Sequence, residues 1–259
     1  MRTQSFGSFA ATALLGIGLM LAPTASQASS ITYVGSSGSL AASVTFDDST
    51  AGVLTVTLTN TSVADTLDAA DLLTAVFFSV AGDPALTRVS AILAAGSTAE
   101  HGGTTDPGGV VGGEWAYLNG LSQYGANQGI SSSGLGIFGP GDRFPGSDLT
   151  PPDSPDGAQW GLASAGDDPS TGNASIADPI IQNSVVFTLN GAITLADISN
   201  VTFQYGTGLD EPSFGGDCSP TDPACTVTQQ DVVPEPASLL LLGSGLAFAA
   251  RTVRRRQRK

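Results

Sequence analysis

Apolar and polar residues alternate along several short stretches of the chain, and this pattern predicts β-strands. In residues 40–46 and 54–58, apolar side chains occupy every second position, with small or β-branched polar side chains between them. A period of two with β-branched residues is typical of strands that bury one face. The intervening residues 47–52 (Asp-Asp-Ser-Thr-Ala-Gly) have the composition of a turn, so the two stretches are predicted to form a hairpin.

Further strands are predicted on both sides of the middle of the chain. Residues 72–80 form a longer apolar run, which predicts a central strand buried on both faces. Residues 86–93 fit either a strand or a short helix. Alternation returns at 185–189 and 201–205, and these two stretches are predicted to pair with each other across the 190–200 connection.

The middle of the chain differs from the rest in its high glycine content. Residues 94–183 hold 19 of the 33 glycines, so we expect ordered but irregular loops with short strands at 114–118 and 159–163. Loops of this kind are the expected place for a binding site. Short strands, turn signals and the lack of an amphipathic helix favour an all-β fold. We expect a single antiparallel β-sandwich, jelly-roll or Ig-like, with long Gly/Pro-rich loops.

The charge of the chain is unevenly distributed. All 23 acidic residues lie between Asp47 and Glu235, whereas seven of the nine basic residues lie in the first two or the last nine positions. Residues 29–235 therefore carry two arginines, no lysine and a formal charge of −21. Because phosphate backbones bind clustered lysine and arginine, this body is not expected to bind nucleic acid. The single histidine, His101, also excludes a multi-histidine zinc site.

The first 28 residues have the three parts of a secretory signal peptide. Arg2 gives a basic start, residues 10–22 are apolar, and small residues lead up to Ala28. Cleavage is predicted between Ala28 and Ser29. A membrane anchor would need about 20 apolar residues, and a buried N-terminal helix is the remaining alternative.

The other end combines a proline motif, a short apolar stretch and a basic tail. Pro234, Glu235 and Pro236 precede the apolar residues 237–250, which as a helix would measure about 21 Å against a hydrocarbon core of about 30 Å. Such a segment crosses a bilayer only with thinning or snorkelling, so a permanent tail anchor is the weaker alternative. Basic residues stay cytoplasmic during insertion and leave the body outside; the orienting arginines are Arg251, Arg254, Arg255 and Arg256.

This arrangement resembles a PEP-CTERM sorting signal over residues 233–247 and 254–256. The resemblance implies that an exosortase, a membrane-embedded cysteine protease-transpeptidase, recognises Pro234, Glu235 and Pro236 and processes the protein near them. It also implies a Gram-negative bacterium that makes exopolysaccharide. The protein would pass from an inner-membrane-tethered precursor to the cell surface or the extracellular biofilm matrix.

The body is similar, over residues 54–62, 108–117, 129–141 and 200–206, to the β-rich domain of exosortase-dependent surface proteins. This second resemblance implies no chemistry for the body.

The chain is thus predicted to have four regions, and two cysteines mark the third. Cys218 and Cys225 would meet an oxidising compartment, which predicts a local disulfide; free thiols or a lipidated cysteine are the alternatives. The predicted regions are a signal peptide (1–28), a β-sandwich domain (29–206), a polar stalk (207–233) and the sorting signal (234–259).

Loop aspartates leave a calcium site as an open alternative, since calcium takes about six to eight oxygen ligands. No stretch matches an EF-hand loop or a calcium-binding repeat, and a solvated acidic surface is the other interpretation. The acidic pairs are Asp142 and Asp148, Asp153 and Asp156, Asp167 and Asp168, and Asp210 and Glu211.

Aromatic residues suggest a sugar-binding alternative. Trp115, Tyr117 and Trp160 could stack against sugars, although core positions are the more usual place for such residues. A glycan hydrolase would need two facing carboxylates roughly 5 to 9 Å apart, and no motif marks such a pair.

The predicted function is therefore that of an exported, non-enzymatic surface or matrix structural protein without a required cofactor. Its predicted partners are signal peptidase, exosortase and, before processing, the membrane; exopolysaccharide is a further candidate. The alternatives are a carbohydrate-binding or calcium-dependent adhesion module and a secreted glycan hydrolase.

Overall fold

Almost all regular structure in the protein is β-strand. The computed structural model describes residues 29–171, 176 and 178–226. In this part of the chain the helices are short 3-10 segments at Ala69–Asp71, Gly112–Glu114, Gln123–Gly125, Pro140–Asp142, Pro169–Thr171 and Leu195–Asp197, and one α-helical turn, α1 (Pro223–Thr226). The strands described are β1 (Ser30–Ser37), β2 (Leu40–Asp47), β3 (Val53–Asn60), β4 (Leu73–Val80), β5 (Thr87–Leu93), β6 (Thr98–Ala99), β7 (Ala116–Asn119), β8 (Gln128–Ser131), β9 (Leu162–Ala163), β10 (Ile181–Gln182), β11 (Ser184–Asn190), β12 (Ile198–Tyr205) and β13 (Ser213–Cys218).

The strands form one large, nearly closed sheet, which confirms the predicted all-β class. Its order is β5-β11-β3-β2-β1-β13-β12-β4, and β4 continues to β8 and β7 on one part of its length and to β9, β10 and β6 on another. The strands pair antiparallel except β9 and β10, which are parallel. Between the two borders, Val110 bridges Ile92 of β5, and Arg143 bridges Ala116 of β7. The chain from 110 to 116 therefore passes from one border of the sheet to the other.

The predicted hairpin is confirmed. β2 and β3 pair antiparallel, with Val44 opposite Leu58 and Phe46 opposite Val56. These four apolar side chains are fully buried, whereas the threonines between them are partly exposed. Hydrophobic alternation and a polar turn were sufficient to specify this pair, because a one-residue slip would turn every apolar side chain toward solvent.

The second predicted pair is wrong, although both of its strands exist. β11 pairs with β3 and β5, and β12 pairs with β4 and β13. The connection between them, which contains the 3-10 segment Leu195–Asp197, crosses from one part of the sheet to another. Alternation defines which face of a strand is buried and does not define its neighbours.

β4 is central and buried on both faces, as predicted. Phe78 points into the main core, where its ring centroid lies 5.0 Å from that of Phe46. Phe77 points to the opposite face, against Tyr124 and Phe138 in the 120–138 region. Two hydrophobic clusters therefore share this strand, which explains why its sequence is apolar without alternation.

The remaining predicted stretches fall mostly in strands. Residues 86–93, ambiguous in the sequence, lie largely in β5. The predicted strand at 114–118 is β7, shifted by a 3-10 turn at Gly112–Glu114, and the stretch at 159–163 ends in the two-residue β9.

Candidate functional site

The predicted signal cleavage lies directly before the first residue that the structure describes. Ser29 is the first described residue, and its carbonyl oxygen accepts a 3.0 Å hydrogen bond from Asp48 N. β1 begins at the next residue and pairs with β2 over its full length. Ala28 and the rest of the predicted signal peptide lie outside the described residues.

The C-terminal end of the described chain is fixed to β1. Cys218 pairs with Tyr33 in the β1–β13 ladder and is joined by a disulfide to Cys225, with 5.6 Å between the Cα atoms. Ser219 N donates a 2.8 Å hydrogen bond to Thr32 O. The disulfide predicted from the sequence is therefore present, and it lies beside the strand that begins the fold.

The sheet extends into the segment that the sequence assigns to a stalk. β13, within residues 207–233, pairs with β1 on one side and with β12 on the other. The boundary predicted after residue 206 is therefore too early for residues 213–218. The physical reason is close approach. A Cβ on Gly35 of β1 would lie 2.6 Å from Gly215 O, and a Cβ on Gly216 of β13 would lie 2.9 Å from the Phe203 ring, so glycines stand where ordinary strands carry side chains.

The predicted sorting residues lie outside the described residues. These are Pro234, Glu235 and Pro236 with the orienting Arg251, Arg254, Arg255 and Arg256. Within the described part of the chain, no helix has the length and apolar character needed to cross a membrane.

A pocket of about 160 Å³ lies beside the β1–β2 turn. It is lined by Ser39 of that turn, by Leu40 at the start of β2, by parts of residues 62–71, and by Ser164. The 94–183 region, where a binding site was expected, contributes only Ser164 to this lining. Leu67 on the lining is 54% exposed, so the pocket has an apolar rim.

Most polar groups of the pocket are engaged within the protein. Ser62 Oγ accepts a 2.9 Å hydrogen bond from Ala41 N, and Ser164 Oγ donates to Ala64 O. One Asp71 oxygen accepts from Leu67 N at 3.0 Å. These bonds hold the pocket walls together, so the pocket presents few free hydrogen-bonding groups to a ligand.

At one wall of this pocket, carboxyl groups from three chain segments lie together; we name Asp65, Glu100 and Asp167 the carboxylate clasp. Thr66 N donates to Asp167 Oδ1 at 2.8 Å, and Asp168 N donates to Asp65 Oδ1 at 3.0 Å. The hydrogen bond from Asp168 N is the main cause that lowers the pKa of Asp65. Burial, followed by the charge of Asp167, raises the pKa of Glu100 from 4.5 to about 7.

A second carboxylate, Glu114, is buried in the glycine-rich region. Its side chain is 1% exposed and accepts hydrogen bonds from Leu149 N, Thr150 N and Ser154 Oγ. Burial is the main cause that raises the pKa of Glu114, and the hydrogen bonds oppose that shift. Glu114 therefore anchors the loop at 149–154 and is not accessible as a catalytic acid or base.

The aromatic candidates for sugar stacking are buried in the core. Trp115 and Trp160 have no exposed surface and Tyr117 is 3% exposed. The Trp115 ring lies 5.0 Å from Phe187, and Trp160 Nε1 donates a 3.1 Å hydrogen bond to Thr150 Oγ1. Of the two interpretations left open by the sequence, the core position is the one found.

The acidic loops do not form a recognisable metal site in the described residues, where no three Asp, Glu, His or Cys side chains are placed to hold a metal ion. Members of two of the predicted acidic pairs have other partners. Asp148 forms a 3.2 Å ion pair with Arg143, and Glu211 accepts hydrogen bonds from Thr207 N and Gly208 N.

Comparison with known proteins identifies the C-terminal segment. Residues 232–256 match the family described as the PEP-CTERM protein-sorting motif, in agreement with the resemblance seen in the sequence. No curated protein and no solved structure matches the chain.

Proposed function

We propose that this protein serves at the cell surface or in the extracellular matrix as a non-enzymatic structural component. The observation that carries the proposal is the PEP-CTERM motif at residues 232–256, which implies exosortase-dependent export and a membrane-anchored precursor. The exopolysaccharide or biofilm setting, the Gram-negative host and the part played by signal peptidase belong to the proposal.

Three features of the body support a structural role. The acidic groups with raised pKa values are buried or serve to join loops, as at Glu114 and Glu100. The exit of the chain at Cys225 is covalently tied to the sheet. A formal charge of −21 over residues 29–235 favours solubility and resists nonspecific association outside the cell.

For the fold we propose a β-sandwich, in which the nearly closed sheet folds into two layers. Contacts across the core support this arrangement: Phe46 packs against Phe78 at 5.0 Å, and Trp115 packs against Phe187 at 5.0 Å. Phe46 of β2 and Phe78 of β4 lie on strands that are not hydrogen-bonded neighbours, so these two side chains meet face to face.

Replacement of Pro234 and Glu235 by alanine tests the sorting assignment. Without the recognised motif, the full chain should accumulate as an unprocessed, membrane-retained form in a cell that expresses the exosortase. Pro220→Ala is the matched control, because Pro220 is an exposed proline outside the motif. If the Pro234/Glu235 variant matures at the normal rate, the sorting proposal is wrong.

Mass spectrometry of the exported protein tests both ends at once. The expected N-terminus is Ser29, and peptides from residues 251–259 should be missing from the mature form. Detection of an intact basic tail on protein released from the cell would contradict processing near residues 234–236.

A polysaccharide-binding or calcium-dependent adhesion module is the competing proposal, and the pocket with its exposed Leu67 is the observation in its favour. Calorimetry with matrix polysaccharide, with calcium and again with chelator, separates the two. Heat of binding that is lost in a Leu67→Asp variant would support a binding module. Absence of heat and of any change in Tm would leave the structural role.

A further inference from the structure

The carboxylate clasp joins segments that are far apart in the chain. Asp65 lies in the loop between β3 and β4, Glu100 directly follows β6, and Asp167 follows β9. The loop and the segment after β9 exchange hydrogen bonds in both directions: Thr66 N donates to Asp167 Oδ1, and Asp168 N and Thr171 Oγ1 donate to Asp65. Because Asp65, Thr66 and Ser164 line the pocket, the clasp fixes one of its walls.

Glu100 reaches this junction from a third segment of the chain. Its backbone N–H donates a 2.9 Å hydrogen bond to Ile180 O, which fixes the residue beside β10. Its side chain is half-buried, and Oε2 is buried with no hydrogen-bond partner among the described residues. After burial, the charge of Asp167 and a hydrogen bond with its side chain are the causes that raise the pKa of Glu100. Two carboxyl groups form a hydrogen bond only when one of them carries a proton, and two carboxylates at this distance repel.

The charges around the pair are acidic, with one histidine. Asp65 faces Asp167 from the loop between β3 and β4, Asp168 follows Asp167, and His101 follows Glu100. Residues 29–226 contain only two arginines and no lysine. Of those arginines, Arg88 contacts Gly141 O and Arg143 pairs with Asp148, so neither is engaged with the clasp.

We propose that the Glu100–Asp167 pair is a pH-dependent latch on the pocket wall. With a proton in the pair, Glu100 donates a hydrogen bond to Asp167, and Asp167 keeps its bond from Thr66 N. Loss of the proton leaves two carboxylates in contact beside a third, Asp65, and the repulsion separates residues 164–168 from residues 64–67. The latch acts on the pocket and is independent of the sorting signal.

The direction of the pH dependence follows from the raised pKa of Glu100. Between pH 4.5 and about pH 7, the unfolded chain has released this proton while the folded chain retains it. The contribution of this group to stability therefore falls as the pH rises through that window and stays constant above it. The latch is closed in mildly acidic surroundings and opens near neutral pH.

NMR titration of the mature exported protein from pH 4 to pH 8, in buffer with chelator, tests the latch. The Glu100 Cδ resonance should titrate near pH 7, and the amide resonances of Thr66 and Asp168 should shift over the same range. In Glu100→Gln, which keeps a hydrogen-bond donor at every pH, both amides should remain unchanged between pH 5 and pH 8. The Tm of this variant should exceed that of the wild type by about 2–4 °C at pH 8 and equal it at pH 4.

Two control variants test whether the pH-dependent amide shifts arise from Glu100. Asp153→Asn removes an exposed carboxylate outside the clasp and should leave both amide transitions in place. His101→Gln should also leave them in place, because the titrating group is Glu100. The proposal is overturned if Glu100 titrates near 4.5, if the two amides do not respond to its titration, or if their transition persists in Glu100→Gln. Because the first two results come from the wild type, they decide the question even if a variant fails to fold.

Discussion

Removal of the buried carboxylate of Glu114 should destabilise the protein through the loop that it holds. Glu114→Ala leaves Leu149 N, Thr150 N and Ser154 Oγ without their acceptor. Each buried donor left unpaired costs about 1–3 kcal/mol. Leu149 and Thr150 are only half-buried and can turn partly toward water, so the total belongs at the low end, about 3 kcal/mol.

Urea unfolding followed by tryptophan fluorescence measures this loss. The two tryptophans are suitable reporters, because Trp115 follows Glu114 in sequence and Trp160 donates a hydrogen bond to Thr150 Oγ1. Glu114→Gln keeps the volume and one acceptor oxygen and should cost about 1–2 kcal/mol. Ser154→Ala should cost about 1 kcal/mol, and in the double variant with Glu114→Ala the losses should fall short of additivity by a similar amount.

Asp153→Ala is the matched control, since this exposed aspartate lies in the same loop and should change stability by less than about 0.5 kcal/mol. The role assigned to Glu114 is refuted if Glu114→Ala costs less than about 1 kcal/mol or if its loss adds fully to that of Ser154→Ala.

Two further predictions concern covalent and steric constraints. Replacement of Cys218 and Cys225 by serine opens a loop of about eight residues and should cost about 2.5 kcal/mol in denaturant unfolding; equal midpoints for wild type and variant would contradict this. Gly113→Ala should destabilise by more than about 2 kcal/mol, because its Cβ would lie 1.7 Å from Ser147 O, whereas Gly141→Ala, with nothing within 4 Å of its Cβ, should not. Similar melting temperatures for the two glycine variants would refute the steric argument.

The parts of the fold that could be predicted are those in which the pattern is local. The β2–β3 hairpin needs only alternation and a short turn, and β4 needs only an unbroken apolar run. β13 could not be predicted in this way. Its sequence, Ser-Phe-Gly-Gly-Asp-Cys, has no buried alternating side chains. Its place in the sheet depends on Gly35 of β1, which lets the β13 backbone approach closely, and on Gly216, which leaves room for the Phe203 ring.

The same distinction between local and long-range features applies to the candidate site. Cys218 and Cys225 are close in sequence, and the exported state implied by the N-terminus makes their pairing predictable. The carboxylate clasp joins residues 65, 100 and 167, and no local motif connects them. Only the folding of the sheet brings these carboxyl groups together, so their proximity could not be inferred from the sequence.

The two ends of β1 lie beside different features of the molecule. The Ser30 end of this strand lies beside the predicted signal cleavage point and beside Ser219, where the chain leaves the sheet. Its other end, at Ser37, leads into the turn that forms part of the pocket. Eight residues of strand span about 26 Å, so Ser219 and the pocket lie at opposite ends of β1. For the membrane-anchored precursor proposed above, this geometry would turn the end of β1 beside Ser219 toward the anchor and hold the pocket about one strand length away from it.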